Sequence, residues 1–283
     1  MPFKELLKKE LSGKLSGKEL EALPSGFQQL EKITIIKLKP ELQKKKKEIA
    51  KAVMELFPYA KTIMQLKEIK GKFRQPKIEF LLGEKKFIVD YKEAGCVFRF
   101  DVSKIMWSKG NRHERQRIAS LPQKGEVVMD FFAGIGYWTI PILKTGNAGK
   151  VIAFEHNPEA VKWLKENIKL NKIPESKAQI VEGKTEKNAL KFPEGIADRI
   201  LLGLIPAPKF ALPAALHCIK NNGILHYEGT AVIGKPKELF KDVQEACEKA
   251  NCKAILLNAQ FVKDYAPRIA HYTLDIKIEK AIS

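Results

Sequence analysis

Several absences narrow the reading before any motif does. Cysteine is scarce: the four thiols, Cys96, Cys218, Cys247 and Cys252, form no Cys-x-x-Cys pair, which argues against a zinc knuckle and against a disulfide framework. Buried, reduced thiols and no metal site are the expectation. No uninterrupted apolar run approaches the roughly 20 residues needed to span a bilayer. The N-terminus also lacks the compact apolar centre of a secretion signal, so a soluble, cytoplasmic chain without membrane contact is expected. Acidic residues are in deficit, 33 Asp plus Glu against 51 Lys plus Arg, a formal net charge of +18. Such an imbalance favours a polyanionic partner, because each phosphate neutralised releases condensed counterions. Charge alone does not name the polymer, and a merely solubilising lysine surface would read the same way. Repeats and low-complexity segments are also missing.

What is present fits two domains, since 283 residues with 45% hydrophobic content suffice for one large core and a smaller one. Residues 1–98 have a mixed α+β pattern. A charged helical start precedes a strand-like Ile33-Thr-Ile-Ile-Lys-Leu38. A helix begun near Pro40 follows, with Ile49, Val53, Leu56 and Phe57 on one face. The run Lys44 to Lys47 lies on that helix and reads as a solvated face or an RNA-backbone contact. A turn at Gly71 to Pro76 leads into strands at Lys77 to Leu82 and Phe87 to Tyr91. From about Arg99 the rhythm becomes strand, loop, helix. Short apolar runs at Val127 to Asp130, Val151 to Glu155, Ile200 to Gly203 and Gly223 to Tyr227 are separated by helical stretches, which predicts a doubly wound α/β domain over 99–283. Tyr272 to Ile278 alternates like an edge strand.

The loop after the first of these strands, Asp130-Phe-Phe-Ala-Gly-Ile-Gly136, is where such a fold binds ligands. Gly134 and Gly136 permit a tight turn and a close backbone approach. A dinucleotide fingerprint would need a third glycine at position 139, which is Thr139, so NAD is disfavoured. Asp130 would repel a pyrophosphate but tolerate a cationic amino acid. Glu155, ending the next strand, can accept both hydroxyls of a ribose. Together Asp130, Gly134, Gly136 and Glu155 describe an S-adenosylmethionine site.

The chain resembles a known family, the tRNA guanine N1-methyltransferases and the related tRNA wybutosine-synthesising protein 2 of archaeal type, which act on the purine 3′ of the anticodon. The resemblance is carried by Asp130 to Gly136, Asn157-Pro-Glu-Ala160, Glu166-Asn-Ile-Lys-Leu-Asn171, Gly223-Ile-Leu-His-Tyr227, Tyr265-Ala-Pro267 and His271 to Lys277. Two segments, Trp107-Ser-Lys-Gly-Asn111 and Leu201-Leu-Gly-Leu-Ile-Pro206, are similar to the wybutosine branch. The methyltransferase branch has Ser-Pro-Arg and Asn-Leu-Pro there.

The resemblance implies a Rossmann-like S-adenosylmethionine-dependent transferase domain behind a smaller tRNA-contacting domain. It implies transfer of the 3-amino-3-carboxypropyl group to C7 of 4-demethylwyosine in tRNA(Phe) by a monomer. It also implies that Ser108 and Arg115 hold the methionine part, Glu155 the ribose, and Gly183 and Lys184 border the adenine, with Phe132 beside them. Glu114 and His226 are the candidate proton acceptors, with a polar core role the alternative for each. Lys184 and Ala207 depart from the pattern. A methyltransferase on the same tRNA position, or a tRNA-binding module with a degenerate cofactor loop, are the competing functions.

Overall fold

A computed structural model describes residues 1–281, so the last two positions of the expected 99–283 domain lie outside the described residues. The chain divides into two compact units. One comprises Met1–Tyr91 and Phe98–Trp107; the other comprises Lys92–Val97 and everything from Ser108 onward.

In the first unit, helices α1 (Phe3–Glu10), α2 (Gly17–Ala22) and α3 (Lys46–Leu56) accompany four strands, β1 (Phe27–Leu30), β2 (Ile33–Ile36), β3 (Thr62–Lys70) and β4 (Gln75–Gly83). They form one sheet in the order β1-β2-β3-β4, with β2 and β3 parallel and the outer pairs antiparallel. Helix α2 starts on a capping box: the Ser16 hydroxyl accepts from the Glu19 amide while Glu19 reaches back to the Ser16 amide, so two otherwise orphaned donors are satisfied. Ile49, Ala50, Ala52 and Val53 bury one face of α3 against this sheet. Strand β3 is absent from the sequence reading. Of the lysine run, Lys45 pairs with Glu48 and Lys46 with Glu79, while Lys44 and Lys47 are exposed. The strands predicted on either side of Gly83 enter different sheets, because β5 (Ile88–Glu93) pairs with β6 (Cys96–Asp101) instead of with β4.

The second unit contains α4 (Arg112–Ser120), β7 (Val127–Asp130), α5 (Thr139–Thr145), β8 (Lys150–Glu155), α6 (Pro158–Leu170), β9 (Ala178–Glu182), α7 (Thr185–Asn188), β10 (Ala197–Leu202), α8 (Leu212–Cys218), β11 (Ile219–Val232), α9 (Lys237–Lys249), β12 (Cys252–Ala266) and β13 (Ile269–Lys280). Its seven strands run in the order β12-β13-β11-β10-β7-β8-β9. The five from β9 to β11 are parallel, and β13 and β12 add antiparallel pairs. After β7 the chain winds outward through β8 and β9, then returns to the other side of β7 as β10. The switch point therefore falls between β7 and β10, and their carboxyl ends open a crevice. Strand β13 is not the edge strand its alternation suggests; β12 covers it. The long continuous β11 and the packing of Leu212, Leu225, Tyr227, Val243 and Leu274 place the core between this sheet and helices α8 and α9.

The opposite face of β11 and β13 is polar and buried. Arg117 makes paired hydrogen bonds to both Glu114 oxygens at 2.8 Å and to both Asp275 oxygens at 2.6 and 3.0 Å. Asp275 contacts His226 Nδ1 at 2.6 Å, and His226 Nε2 lies 2.7 Å from an Arg199 nitrogen. Arg199 ends the chain on Glu126. An arginine only donates, so Nε2 is the acceptor and Nδ1 carries the proton given to Asp275. Burial would raise the Asp275 carboxyl, but the hydrogen bonds from His226 and Arg117 outweigh it and hold it below the ordinary carboxylate range. Burial also lowers the pKa of His226, against the pull of Asp275. Removing one member of such a network leaves its partners' charges buried and uncompensated. Asp275→Ala should therefore lower the unfolding free energy by about 3–5 kcal/mol, measured by urea denaturation; a loss below 1 kcal/mol would contradict the assigned network.

Candidate active site

The carboxyl ends of β7, β8 and β9 are laced together by their own loops. The Glu155 carboxylate accepts from the Gly134 amide at 2.7 Å through one oxygen and from the Asn157 amide at 2.6 Å through the other. Its backbone carbonyl accepts from the Gly183 amide at 2.8 Å. Asn157 caps α6 by accepting from Glu159, and Pro158 fills the first helical position, where its missing N–H costs nothing. Further down α6, buried Asn167 donates to the Ile135 carbonyl at 3.0 Å, holding the glycine loop from beneath. The hydroxyl of Thr185 does the same for the Phe131 carbonyl at 2.6 Å. Asn167 and Thr185 are site-building residues that periodicity does not reveal, though Asn167 sits inside one of the motifs that carried the resemblance.

Gly134 and Gly136 both have positive φ, +57° and +99°. A Cβ at Gly134 would stand 2.5 Å from the Tyr137 ring, and one at Gly136 would stand 2.6 Å from Ile140 and 3.0 Å from Leu164. Their immediate requirement is thus internal, a left-handed turn packed against its own helix. Gly203, at the end of β10, is equally constrained: its Cβ would meet the Trp138 ring at 2.3 Å.

Asp130 is fully buried at the end of β7 and accepts from the Thr139 hydroxyl at 2.8 Å. Burial is the largest influence and raises its carboxyl to about 7, against the hydrogen bonds from Thr139 and the Phe132 amide; the nearby Glu155 charge pushes the same way as burial. Burial raises Glu155 as well, resisted by the amides of Asn157, Gly134 and His156. Two acids crowded at adjacent strand ends make a locale that a cation relieves. Three backbone amides reach the Glu155 carboxylate, whose two oxygens offer about four acceptor sites, so room remains for a hydroxyl. These features fit a nucleoside with a cationic amino-acid arm.

Arg115, expected beside the carboxylate of the methionine part, has an acid of the chain itself against it. Its guanidinium is buried and pairs bidentately with Glu93 at 2.7 and 3.0 Å, and it also donates to the Ser108 carbonyl at 3.0 Å. Glu93 was missing from the sequence reading because it lies 22 residues upstream, on the tip of the β5–β6 hairpin. Asn171 anchors the same tip through paired backbone hydrogen bonds with Val97, at 2.9 and 2.6 Å. The Ser108 hydroxyl accepts from Lys263 at 2.7 Å and faces Asn111 at 3.3 Å. Phe132 is half-buried, its ring edge-on to exposed Phe210 at 6.0 Å. Lys184 is exposed at the start of α7, and exposed Glu182 pairs with Lys165. Glu114 and His226 are held in the buried chain described above. Both imidazole nitrogens are engaged, and both Glu114 oxygens accept from Arg117. All four cysteines are free thiols, and burial pushes Cys96 and Cys218 up to about 11. Among the described residues no cluster of metal-ligating side chains is present.

A doubly wound α/β domain whose strand-end carboxylates and glycine turn face one crevice defines a nucleoside-binding transferase class. Within that class, residues 89–255 match the TRM5/TYW2 methyltransferase domain, and residues 7–86 match the TYW2 N-terminal domain. The chain belongs to the TRM5/TYW2 family. It is 34% identical, over 99% of its length and 97% of the relative's, to the tRNA(Phe) (4-demethylwyosine(37)-C(7)) aminocarboxypropyltransferase of Pyrococcus horikoshii. A solved structure of P. horikoshii TYW2 in complex with MeSAdo superposes with a TM-score of 0.81 at 33% identity, covering 99% of this chain and all of that one. Trm5b from Pyrococcus abyssi superposes with a TM-score of 0.82 at 30% identity, covering 94% of this chain and 78% of that one.

The electrostatics of Asp130 give a signed pH effect. An unfolded aspartate titrates near 4, so between about 4 and 7 the folded ligand-free chain holds a proton that the unfolded chain has lost. This group's contribution to stability therefore falls as pH rises through that interval and is level above it. Asp130→Asn is neutral throughout. Its unfolding free energy relative to the parent should rise between pH 4 and 7 in matched urea titrations, and a flat difference would show that Asp130 ionises normally.

Proposed function

We propose that this chain is a tRNA-modifying transferase of wybutosine biosynthesis. It moves the 3-amino-3-carboxypropyl group of S-adenosylmethionine to C7 of 4-demethylwyosine in tRNA(Phe) and releases 5′-methylthioadenosine. The observation that carries this reading is the match of residues 7–86 to the TYW2 N-terminal domain. The matched catalytic domain is common to both branches, and the chain as a whole superposes equally well on a member of each.

The sulfonium of the co-substrate makes each of its three attached carbons electrophilic, so the product depends on which carbon the protein turns toward the nucleophile. In this reading Glu155 binds the ribose hydroxyls with its remaining lone pairs. Asp130 lends negative potential to the arm. The turn at Gly183 and Lys184 borders the adenine through backbone groups, since the Lys184 side chain is exposed. Arg115 positions Ser108 through its carbonyl. Glu114 and His226 support α4. The first unit contributes lysines such as Lys44 and Lys47 to the RNA backbone, contacts that position without specifying. The enzyme acts as a monomer in the cytoplasm; no helix among the described residues is long and apolar enough to cross a membrane.

One observation favours a second reading. Trm5b of P. abyssi, a tRNA (guanine(37)-N(1))-methyltransferase, is 33% identical over 90% of this chain. The two are separated by incubating tRNA(Phe) carrying 4-demethylwyosine with S-adenosylmethionine labelled either in the methyl group or in the carboxyl carbon. Transfer of the carboxyl label alone is expected. Transfer of the methyl label alone would make the chain a methyltransferase, and transfer of neither would leave a tRNA-binding module.

A further inference from the structure

Strand β11 does not stop where the crevice opens. It runs parallel to β10, which is parallel to β7, and β10 ends at Leu202, opposite Tyr227. From Glu228 to Val232, about 17 Å at the usual strand rise, β11 continues paired with Thr273 to Ile269 of β13. Strand β12 accompanies them to Ala266. The chain that follows β10 keeps alongside as far as Thr230, whose amide donates to the Pro206 carbonyl at 2.8 Å. Three strands thus project past the crevice end of the sheet, and the turns at 233–236 and 267–268 form their tip.

The tip is tied together by its backbone. The Ile233 amide donates to the Arg268 carbonyl at 3.0 Å, and the Gly234 amide donates to the Tyr272 hydroxyl at 2.9 Å. Yet Val232, Ile233 and Tyr265 are 38, 50 and 46% exposed. A single exposed apolar side chain is ordinary, whereas a group of them marks a contact surface. These three are grouped: Val232, Ile269 and Ala266 stand side by side on the three strands, and Ile233 and Tyr265 each adjoin that row. Lys235, Lys237 and Arg268 are exposed around them, and among the described residues none of the three takes part in an ion pair. The acids of the same segments, Asp264 and Glu238, leave them unpaired. Arg268 holds the hairpin apex at a φ of +63°, a left-handed conformation that glycine or asparagine adopts more readily in the position after a proline. Strain of this kind clusters where a side chain serves a contact.

We propose that this tip grips the single-stranded RNA loop that carries the target nucleotide, with Arg268, Lys235 and Lys237 on its phosphates and Tyr265 against an unpaired base. The proposal rests on the reading of the chain as a tRNA-modifying enzyme, and it names the part of the second unit that meets the RNA. A base that undergoes chemistry leaves its stack, and the unpaired bases of an RNA loop stack on aromatic rings. The excess of positive charge over the whole chain, +18, favours such a polyanion over a protein as the occupant. An exposed tyrosine among unpaired cations, held rigid beside the crevice, supplies the stacking surface and the phosphate contacts together.

Equilibrium binding on the full-length chain tests it with two probes, tRNA(Phe) and a two-piece version of the same tRNA that lacks the anticodon loop. Tyr265→Ala should weaken binding of the intact tRNA by about tenfold and leave the loopless version unchanged, while Tyr265→Trp should keep the affinity. Arg268→Gly removes a charge and relieves the turn. Its thermal midpoint should therefore hold or rise, and the slope of log affinity against log salt should fall in magnitude by about one. S-adenosylmethionine affinity, read by calorimetry, should be the same in every variant. Unchanged affinity for intact tRNA in either Tyr265→Ala or Arg268→Gly overturns the proposal. So does an equal loss for both probes in Tyr265→Ala, or a loss of S-adenosylmethionine binding, which would mean a general disturbance of the fold. If the unsubstituted chain binds no tRNA, the tRNA reading itself fails before the tip is in question.

Discussion

The buried ion pair of Arg115 with Glu93 is the constraint on which the rest of the site hangs. One guanidinium holds three things at once: the tip of the β5–β6 hairpin through Glu93, the Ser108 turn through its carbonyl, and helix α4 through its own backbone. Burying two charges is costly unless their geometry is good and their remaining hydrogen bonds are filled, and both conditions hold here. The pair is consequently better understood as a device for fixing position than as a source of net stability. Its neighbour Arg117 uses the same planar fork in the other direction, joining α4 to β13 through Asp275. Alternate residues of one short helix thus tie it to two parts of the second unit. Lysine in either place could not supply two parallel donors in one plane.

Two aspartates in this unit show how position, not residue type, sets chemistry. Asp130 and Asp275 are both largely buried, yet the first is pushed up and the second held down. The difference is in what surrounds them. Asp275 has an arginine and a histidine proton against it, whereas Asp130 has a hydroxyl, backbone amides and another carboxylate nearby. Hydrogen bonds from neutral groups offset part of the cost of desolvation; a full positive charge reverses it. The β7 end is thus left short of positive charge, a deficit that a cationic ligand makes good.

Much of this was legible in the sequence. The parallel strands announced themselves as short apolar runs because both faces of such strands are covered, and the glycine turn, Glu155 and the Asn157 cap lay at the expected ends. Strand β12 was not legible: its register shifts break the alternation that marks a strand. Strand β3 was missed between a helix and a turn whose signals dominated. At the site, the residues that went unread were partners and not actors. Glu93 and Lys263 meet their targets 22 and 155 positions away, and a polar residue aimed at a distant partner leaves no local periodicity. The same limit explains Arg115, whose motif is local but whose counter-charge is not. The contacts of His226 are equally hidden, because nothing in its own segment reveals Arg199 on one nitrogen and Asp275 on the other.

The division of the chain bears on how such proteins can be recombined. Residues 92–97 belong with the second unit and 98–107 with the first, so neither unit is a continuous stretch. A cut before Lys92 carries 98–107 off with the wrong partner, while a cut after Trp107 strips Glu93 from Arg115. An exchange of N-terminal units between relatives therefore has no single crossover point. It succeeds only as an interleaved graft that leaves the hairpin tip behind, and shuffling by simple fusion would yield chains in which a buried arginine has lost the acid it is fitted to.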